Sequence, residues 1–353
     1  MKLSTGNLYG KYSHPFGVIY NQENINIRKN TLKKLSFYKD ERLKVLELGG
    51  TGQDAVAFAE LGFDTTYIDL SKENIKKTKN FAKGKNLNLR CINENFLEHD
   101  FEEKFDIIRS RGVIHHIDQP EKVLIKINKL LKDSGYFHFN LYRSGTFYYW
   151  FVENLRIFSS KFNFKIFNEI LLTIKLSQSE DNEIGNQTIK SVSKFYNIII
   201  DDLYVPTLMP ANYFEVRKFL VENNFKIIKE NKIKKSLDHD LLYPDFPLKK
   251  EHIEFDCQKI IRNKKFSKSN LQLKTKSEVN LTKDDPIINT NNKMFEDLYR
   301  LMLKEKLFNN KDFIMRIIEL YKICYLLSVN KGSRLTRHIK LGKEIVNIHN
   351  DFN

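Results

Sequence analysis

The chain has 353 residues and carries 59 Lys and Arg against 44 Asp and Glu, a formal net charge of +15; at about 100 to 200 residues per domain this allows one large core and an appendage. Three cysteines, Cys91, Cys257 and Cys324, lie far apart with no CxxC pair, which excludes a zinc knuckle or a secreted disulfide scaffold and points to a reducing compartment. The start, MKLSTGNLYGK, lacks an apolar signal-peptide core, and the apolar stretch 313–329 is broken by Arg316, Glu319 and Lys322, so a cytoplasmic chain without a membrane span is expected.

In chain order, apolar runs and amphipathic segments alternate. A strand is predicted over 43–48, a helix over 52–62 and a strand over 65–70. A helix over 71–83, strands over 89–93 and 105–110, a helix over 119–132 and a strand over 136–142 complete the repeat. This alternation specifies an α/β fold, a doubly wound, mostly parallel sheet covered on both faces. An aromatic and aliphatic stretch, 147–176, reads as a helical insertion at about 145–200. A helix at 213–223 and a last strand at 225–228 close the domain, which spans 41–235. Residues 236–292 read as an irregular basic linker, and 293–353 as a helical carboxy-terminal appendage. The basic positions Lys331, Arg334, Arg337, Lys340 and Lys343 precede the next acid, Glu344. A solvated helix face is favoured there over a nucleic-acid surface, because the other lysines are spread along the chain.

Two features carry chemistry. The strand VLEL runs into Gly49-Gly50-Thr51-Gly52 and then a helix, so main-chain N–H groups and a helix N-terminus face one point, as an anion or carboxylate requires. Walker and strict G-x-G-x-x-G patterns are absent, which argues against ATP and NAD. Asp69 ends the next strand, YIDL, at the place where an acid accepts both hydroxyls of a ribose.

The ordered set VLELGGTGQ, YIDLS, INENFLEHDF and FDIIRSRGVIHHIDQPEKVLIKINKLLKDSGYFHFNLY resembles class I S-adenosylmethionine-dependent methyltransferases, most of all the group that includes ubiquinone and menaquinone biosynthesis enzymes. The resemblance covers roughly 40–142 and implies a Rossmann-like fold with S-adenosyl-L-methionine as cofactor. It places Glu47, Gly49, Gly50, Thr51 and Gly52 at the amino-acid end of the cofactor and Asp69 at its ribose, with Leu70 and Ser110 also among the cofactor-binding residues. Asn95 and Phe96 would meet the adenine. The family's turn commonly reads E/D-x-G-x-G-x-G, so Glu47 to Gly52 is one residue shorter. Glycine's tolerance of positive φ allows the deletion.

Ser110, Arg111 and Gly112 would line the cleft beside the methyl group, with Arg111 and His115 as catalytic residues. His115 would take a proton from the acceptor, while His116 fills the helix–sheet interface; no third ligand makes the pair a metal site. Residues 1–40, with Tyr9, Tyr12, His14 and Tyr20, would form a lid over the cofactor. The expected partner is a small, lipophilic methyl acceptor. An RNA or protein methyltransferase is the alternative, and a scaffold that kept the fold without turnover is a third. Arg109 to Gly112 (RSRG) stands where base-methylating enzymes carry Asn/Asp-Pro-Pro-aromatic, which argues against base methylation.

Overall fold

Seven strands follow from the alternation of apolar runs and turns, in the order β3-β2-β1-β4-β5-β7-β6. They are β1 (Lys44–Leu48), β2 (Asp64–Ile68), β3 (Leu89–Ile92), β4 (Phe105–Arg111), β5 (Leu131–Tyr142), β6 (Phe225–Glu230) and β7 (His252–Lys259). The computed structural model describes residues 20–38, 42–144, 147–177, 199–231, 252–261, 286–329 and 334–353. These divide into two compact units. The first runs to Tyr142 and adds 206–231 and 252–261; the second comprises Arg143 to Val205 and everything described from 286 onward.

In the first unit β1 to β5 pair in parallel. Such strands are buried on both faces, and their residues are apolar for that reason. Val45, Leu46, Ile107, Ile108, Phe137 and Phe139 have no exposed surface. The connecting helices are α2 (Gln53–Glu60), α3 (Lys72–Lys83) and α4 (Pro120–Leu130). Ser71 caps α3 by accepting from the Asn74 N–H at 3.3 Å, and Pro120 opens α4 where its missing N–H costs nothing. The last helix of this unit, α7 (Tyr213–Glu222), is capped by Asn212, which accepts from Phe214 and Glu215.

Two boundaries differ from the sequence reading. Within the stretch 236–292 read as linker, His252–Lys259 forms β7, antiparallel to both β5 and β6. It was concealed by the polar residues around it; the alternation of buried Ile253, Phe255 and Cys257 is the signal that marks it. The remainder of that stretch, 232–251 and 262–285, lies outside the described residues. Within the amino-terminal segment read as a lid, α1 (Gln22–Leu32) packs Ile25 and Leu32 into a core cluster with Val45, Val56 and Ile107. Residues 20–38 thus belong to the sheet's cover; Tyr9, Tyr12 and His14 lie outside the described residues.

The second unit is helical: α5 (Phe147–Ser159), α6 (Phe164–Ser177), a π-helical turn at Ile200–Tyr204, α8 (Pro286–Lys304), α9 (Lys311–Val329) and α10 (Arg334–Phe352). The insertion and the carboxy-terminal helices therefore build one core together. Phe158 meets Phe295 and Tyr299 there, and the Trp150 indole donates to Asn292 Oδ1 at 3.1 Å. Of the basic run in α10, Lys340 and Lys343 have described side chains, and both are exposed. Among the described residues no helix is long and apolar enough to cross a membrane.

Candidate active site

The sheet winds outward in both directions from the β1/β4 boundary. At that switch point the connections leave opposite faces and open a crevice beyond the carboxyl ends of the strands, where ligands of such sheets bind. A cleft of about 250 Å³ lies there, walled by Gly49 and Gly50 after β1, Asp69 and Leu70 after β2, and Asn95 and Phe96 after β3. Gly112, Val113 and His116 after β4 form its other side.

The shortened turn is closed by side chains from outside it. Gly50 and Gly52 have φ of +80° and +75°, a region costly for other residues. The Gly50 carbonyl accepts from the Tyr67 hydroxyl at 3.1 Å and from Asn74 Nδ2 at 3.0 Å. The Tyr20 hydroxyl donates to the Thr51 carbonyl and pairs with Thr78 Oγ1 at 2.7 Å. Since the N–H and C=O of a trans peptide point in opposite directions, anchoring the Gly50 carbonyl on β2 and α3 and the Thr51 carbonyl on Tyr20 turns the Thr51 and Gly52 amides away from those supports. Gly52 is pressed from the same side: a Cβ there would lie 2.1 Å from Thr78 Oγ1. At Gly50 a Cβ would meet only the Arg111 carbonyl, at 3.7 Å, and at Gly112 nothing within 4 Å. Two glycines thus leave open a space that side chains would fill.

Asp69 is half-buried on the cleft wall. Burial raises its carboxyl to about 7, against the pull of the Ser71 N–H and the Tyr67 hydroxyl, and no cation among the described residues offsets the burial. Two donors leave lone pairs on this carboxylate that a vicinal diol could meet. Leu70 beside it stays 50% exposed at the mouth. Asn95 has its own local work: Oδ1 accepts from the Leu97 N–H at 3.1 Å and Nδ2 donates to Glu98 at 2.8 Å. That is the turn-forming use of asparagine, which presents the loop to the cleft. Phe96 is buried, under the Lys126 ammonium, which donates to the Leu97 carbonyl at 3.1 Å.

Several expected site residues lie off this wall. Glu47 is buried beneath the turn, its Oε1 accepting from Arg109 Nη1 at 3.0 Å; burial raises its carboxyl to about 8 against the pull of Arg109. Thr51 and Gly52 form the turn's inner side. Ser110 has no exposed surface, and its hydroxyl donates to the Leu48 carbonyl. Arg111 ends β4 half-buried, and Gly112 takes its place on the wall, its N–H donating to Asn140 Oδ1 at 2.6 Å.

The histidines exchange the expected positions. His115 has no exposed surface, stacks on Tyr142 with ring centroids 3.6 Å apart, and accepts at Nδ1 from the Tyr142 N–H at 3.3 Å. A neutral imidazole accepting at Nδ1 carries its proton on Nε2. His116, read as an interface filler, lines the cleft instead, with Nδ1 3.0 Å from the Thr207 carbonyl. A carbonyl only accepts, so Nδ1 holds the proton and Nε2 is the basic nitrogen. The short 3-10 turn Ile114–His116 decides which of two adjacent histidines faces the cleft, and no spacing rule reveals that.

Residues 46–139 match the family model described as Methyltransferase domain. Ubiquinone biosynthesis O-methyltransferases of Rickettsia akari and Rickettsia conorii are each 26% identical over 95 residues, 27% of this chain. The aligned part is 38% and 33% of those two proteins, so the chain spans little over a third of the curated relatives it matches. Among solved structures, PKMT2 from Rickettsia typhi aligns with a TM-score of 0.46 and 20% identity, covering 68% of this chain and 53% of that one. Magnesium protoporphyrin IX methyltransferase from Synechocystis PCC 6803 aligns with 0.39 and 12%, covering 71% and 90%. Over the segment from β1 to β5, the chain is similar to class I S-adenosylmethionine-dependent methyltransferases in its motifs, its parallel sheet order and its match to the methyltransferase-domain model.

Proposed function

We propose that the chain transfers the methyl group of S-adenosyl-L-methionine to an oxygen or carbon nucleophile of a small molecule. The observation that carries this reading is Asp69, a half-buried carboxyl raised to about 7 on the wall of a cleft that two glycines keep open. Its oxygens would accept from the ribose hydroxyls. The amides of the turn would receive the cofactor's carboxylate, and Leu70 and Phe96 would cover the adenine. The similarity to ubiquinone biosynthesis O-methyltransferases over β1 to β5 supports a small-molecule acceptor.

When bound, the cofactor supplies a methyl group on a sulfonium. The chain's task is then to hold the nucleophile in line with it, which is worth roughly 7 to 11 kcal/mol. His116 is the better placed of the two histidines to take the acceptor's proton, at Nε2, with the Thr207 carbonyl fixing the tautomer. His115, whose Nδ1 already accepts from the backbone, holds Tyr142. Arg111, a guanidinium that stays protonated, is no acceptor for that proton.

Calorimetric titration with S-adenosylhomocysteine tests the reading. Two charge-assisted hydrogen bonds, about 1.5 to 3 kcal/mol each, predict an affinity loss of about a hundredfold or more in Asp69→Ala; equal affinity in both proteins would sink it. Methyl incorporation from labelled cofactor into cell extract should fall about 100- to 10,000-fold in His116→Ala.

A further inference from the structure

Beneath the glycine turn lies a charge cluster that the proposed chemistry does not use. Arg109 sits in the middle of β4 with a side chain 1% exposed, opposite Glu47 of β1 in register. Its Nη1 lies 3.0 Å from Glu47 Oε1 and 2.7 Å from Asp54 Oδ2. Glu47 stands two residues before the turn Gly49–Gly52, and Asp54 two residues after it. One guanidinium nitrogen therefore joins the two stems of the turn. Arg28 of α1 also lies 3.4 Å from Asp54 Oδ2.

The cluster continues across the sheet. Arg109 faces His138 of β5, and His138 Nδ1 lies 2.5 Å from Asp256 of β7, which also accepts from Ser36 at 2.8 Å. Burial outweighs Asp256 and keeps His138 below the usual imidazole range, hence neutral. Arg109 is held as a cation by Asp54 and Glu47 against the cost of its burial, and the same arginine, with Arg28, keeps Asp54 below the usual carboxylate range despite burial.

Charges inside a parallel sheet need a reason, because well-packed apolar residues in their place are commonly as stable or more so. What an ion pair adds is a fixed distance. We propose that Arg109 is a positioning residue for the cofactor: by clamping Glu47 to Asp54 it presets the spacing of the shortened turn, so that its amides need not be ordered on binding. Three glycines at positive φ in four residues would otherwise leave that ordering to be met at the moment of association. The inference rests on the cofactor reading above.

The experiment compares four proteins: wild type, Asp54→Asn, Arg109→Met, and the neutralised triple variant E47Q/D54N/R109M. Each is measured for melting temperature and for S-adenosylhomocysteine affinity. Arg109→Met strands two buried acids and is expected to melt lower and bind at least about tenfold more weakly. The triple variant leaves none of these three side chains charged, so its melting temperature returns to the wild-type value or above while its affinity stays about tenfold weak. Asp54→Asn, which keeps its shape, should lose affinity several-fold. Recovery of affinity together with stability in the triple variant, or an unchanged affinity in Asp54→Asn, overturns the clamp and leaves Arg109 a core residue. If Arg109→Met does not fold, those two proteins still decide. Absence of binding by the wild type would instead strike the cofactor reading itself.

Discussion

The cleft of the first unit and the interior of the second both bury acids, and they treat them in opposite ways. Asp202, in the π-helical turn of the helical unit, has no exposed surface and accepts from the Tyr321 hydroxyl at 2.7 Å; its carbonyl takes the Arg156 guanidinium at 2.6 Å. Asp69 on the cleft wall is held by its own loop, with burial raising its carboxyl to about 7. The helical unit spends its polar groups on itself. In the cleft, a half-buried carboxyl with no cation beside it is one that a ligand can complete, at a cost to the stability of the empty fold.

The contrast can be tested from its strongest point. Phe158, 1% exposed between Phe295 and Tyr299, should cost about 3 to 5 kcal/mol as Ala in denaturant unfolding of the helical unit. S-adenosylhomocysteine affinity of the folded protein should be unchanged, and a parallel loss would break the comparison. Gly52→Ala should cost about 1 to 3 kcal/mol of backbone strain, since φ is +75° and Thr78 Oγ1 lies 2.1 Å from the new Cβ. Here the cofactor affinity falls with the stability, because the strained atoms are the turn itself.

Asp69→Asn sharpens the point by reversing a sign. With the folded carboxyl at about 7 and the unfolded one near about 3.9, the folded state holds more protons between those values, and stability falls as pH rises through them. The Asn variant should therefore be more stable than wild type by roughly 0.5 to 2 kcal/mol at pH 8, equal to it near pH 4, and deficient in cofactor binding wherever the wild-type carboxyl is ionised. The same titration sets the smallest effect. Wild-type affinity should climb between pH 6 and pH 8 as Asp69 ionises and level off above, and Asp69→Asn should show no such rise by calorimetry. A flat wild-type profile would mean that the carboxyl does not meet the ribose.

Much of this was legible in the chain. The strand–helix alternation from Leu43 to Tyr142 fixed the parallel sheet, because strands buried on both faces must be apolar and the helices between them must be amphipathic. The glycine turn, Asp69, Leu70, Asn95 and Phe96 were found by motif, and all but the turn's inner residues lie on the cleft wall. Local chemistry was enough, since a ligand grasped by backbone needs glycine and a loop end, and both are properties of neighbouring residues.

What tertiary structure alone decided was everything that depends on partners distant in sequence. Strand β7 was hidden among polar neighbours and is a strand because β5 and β6 both pair with it. The insertion and the carboxy-terminal helices share a core although more than a hundred residues separate Trp150 from Asn292. Which histidine faces the cleft was settled by the Tyr142 N–H and the Thr207 carbonyl, and the place of Glu47 by Arg109. A sequence records which groups a residue offers; burial and pairing choose among them, and those are set only when the chain has closed on itself.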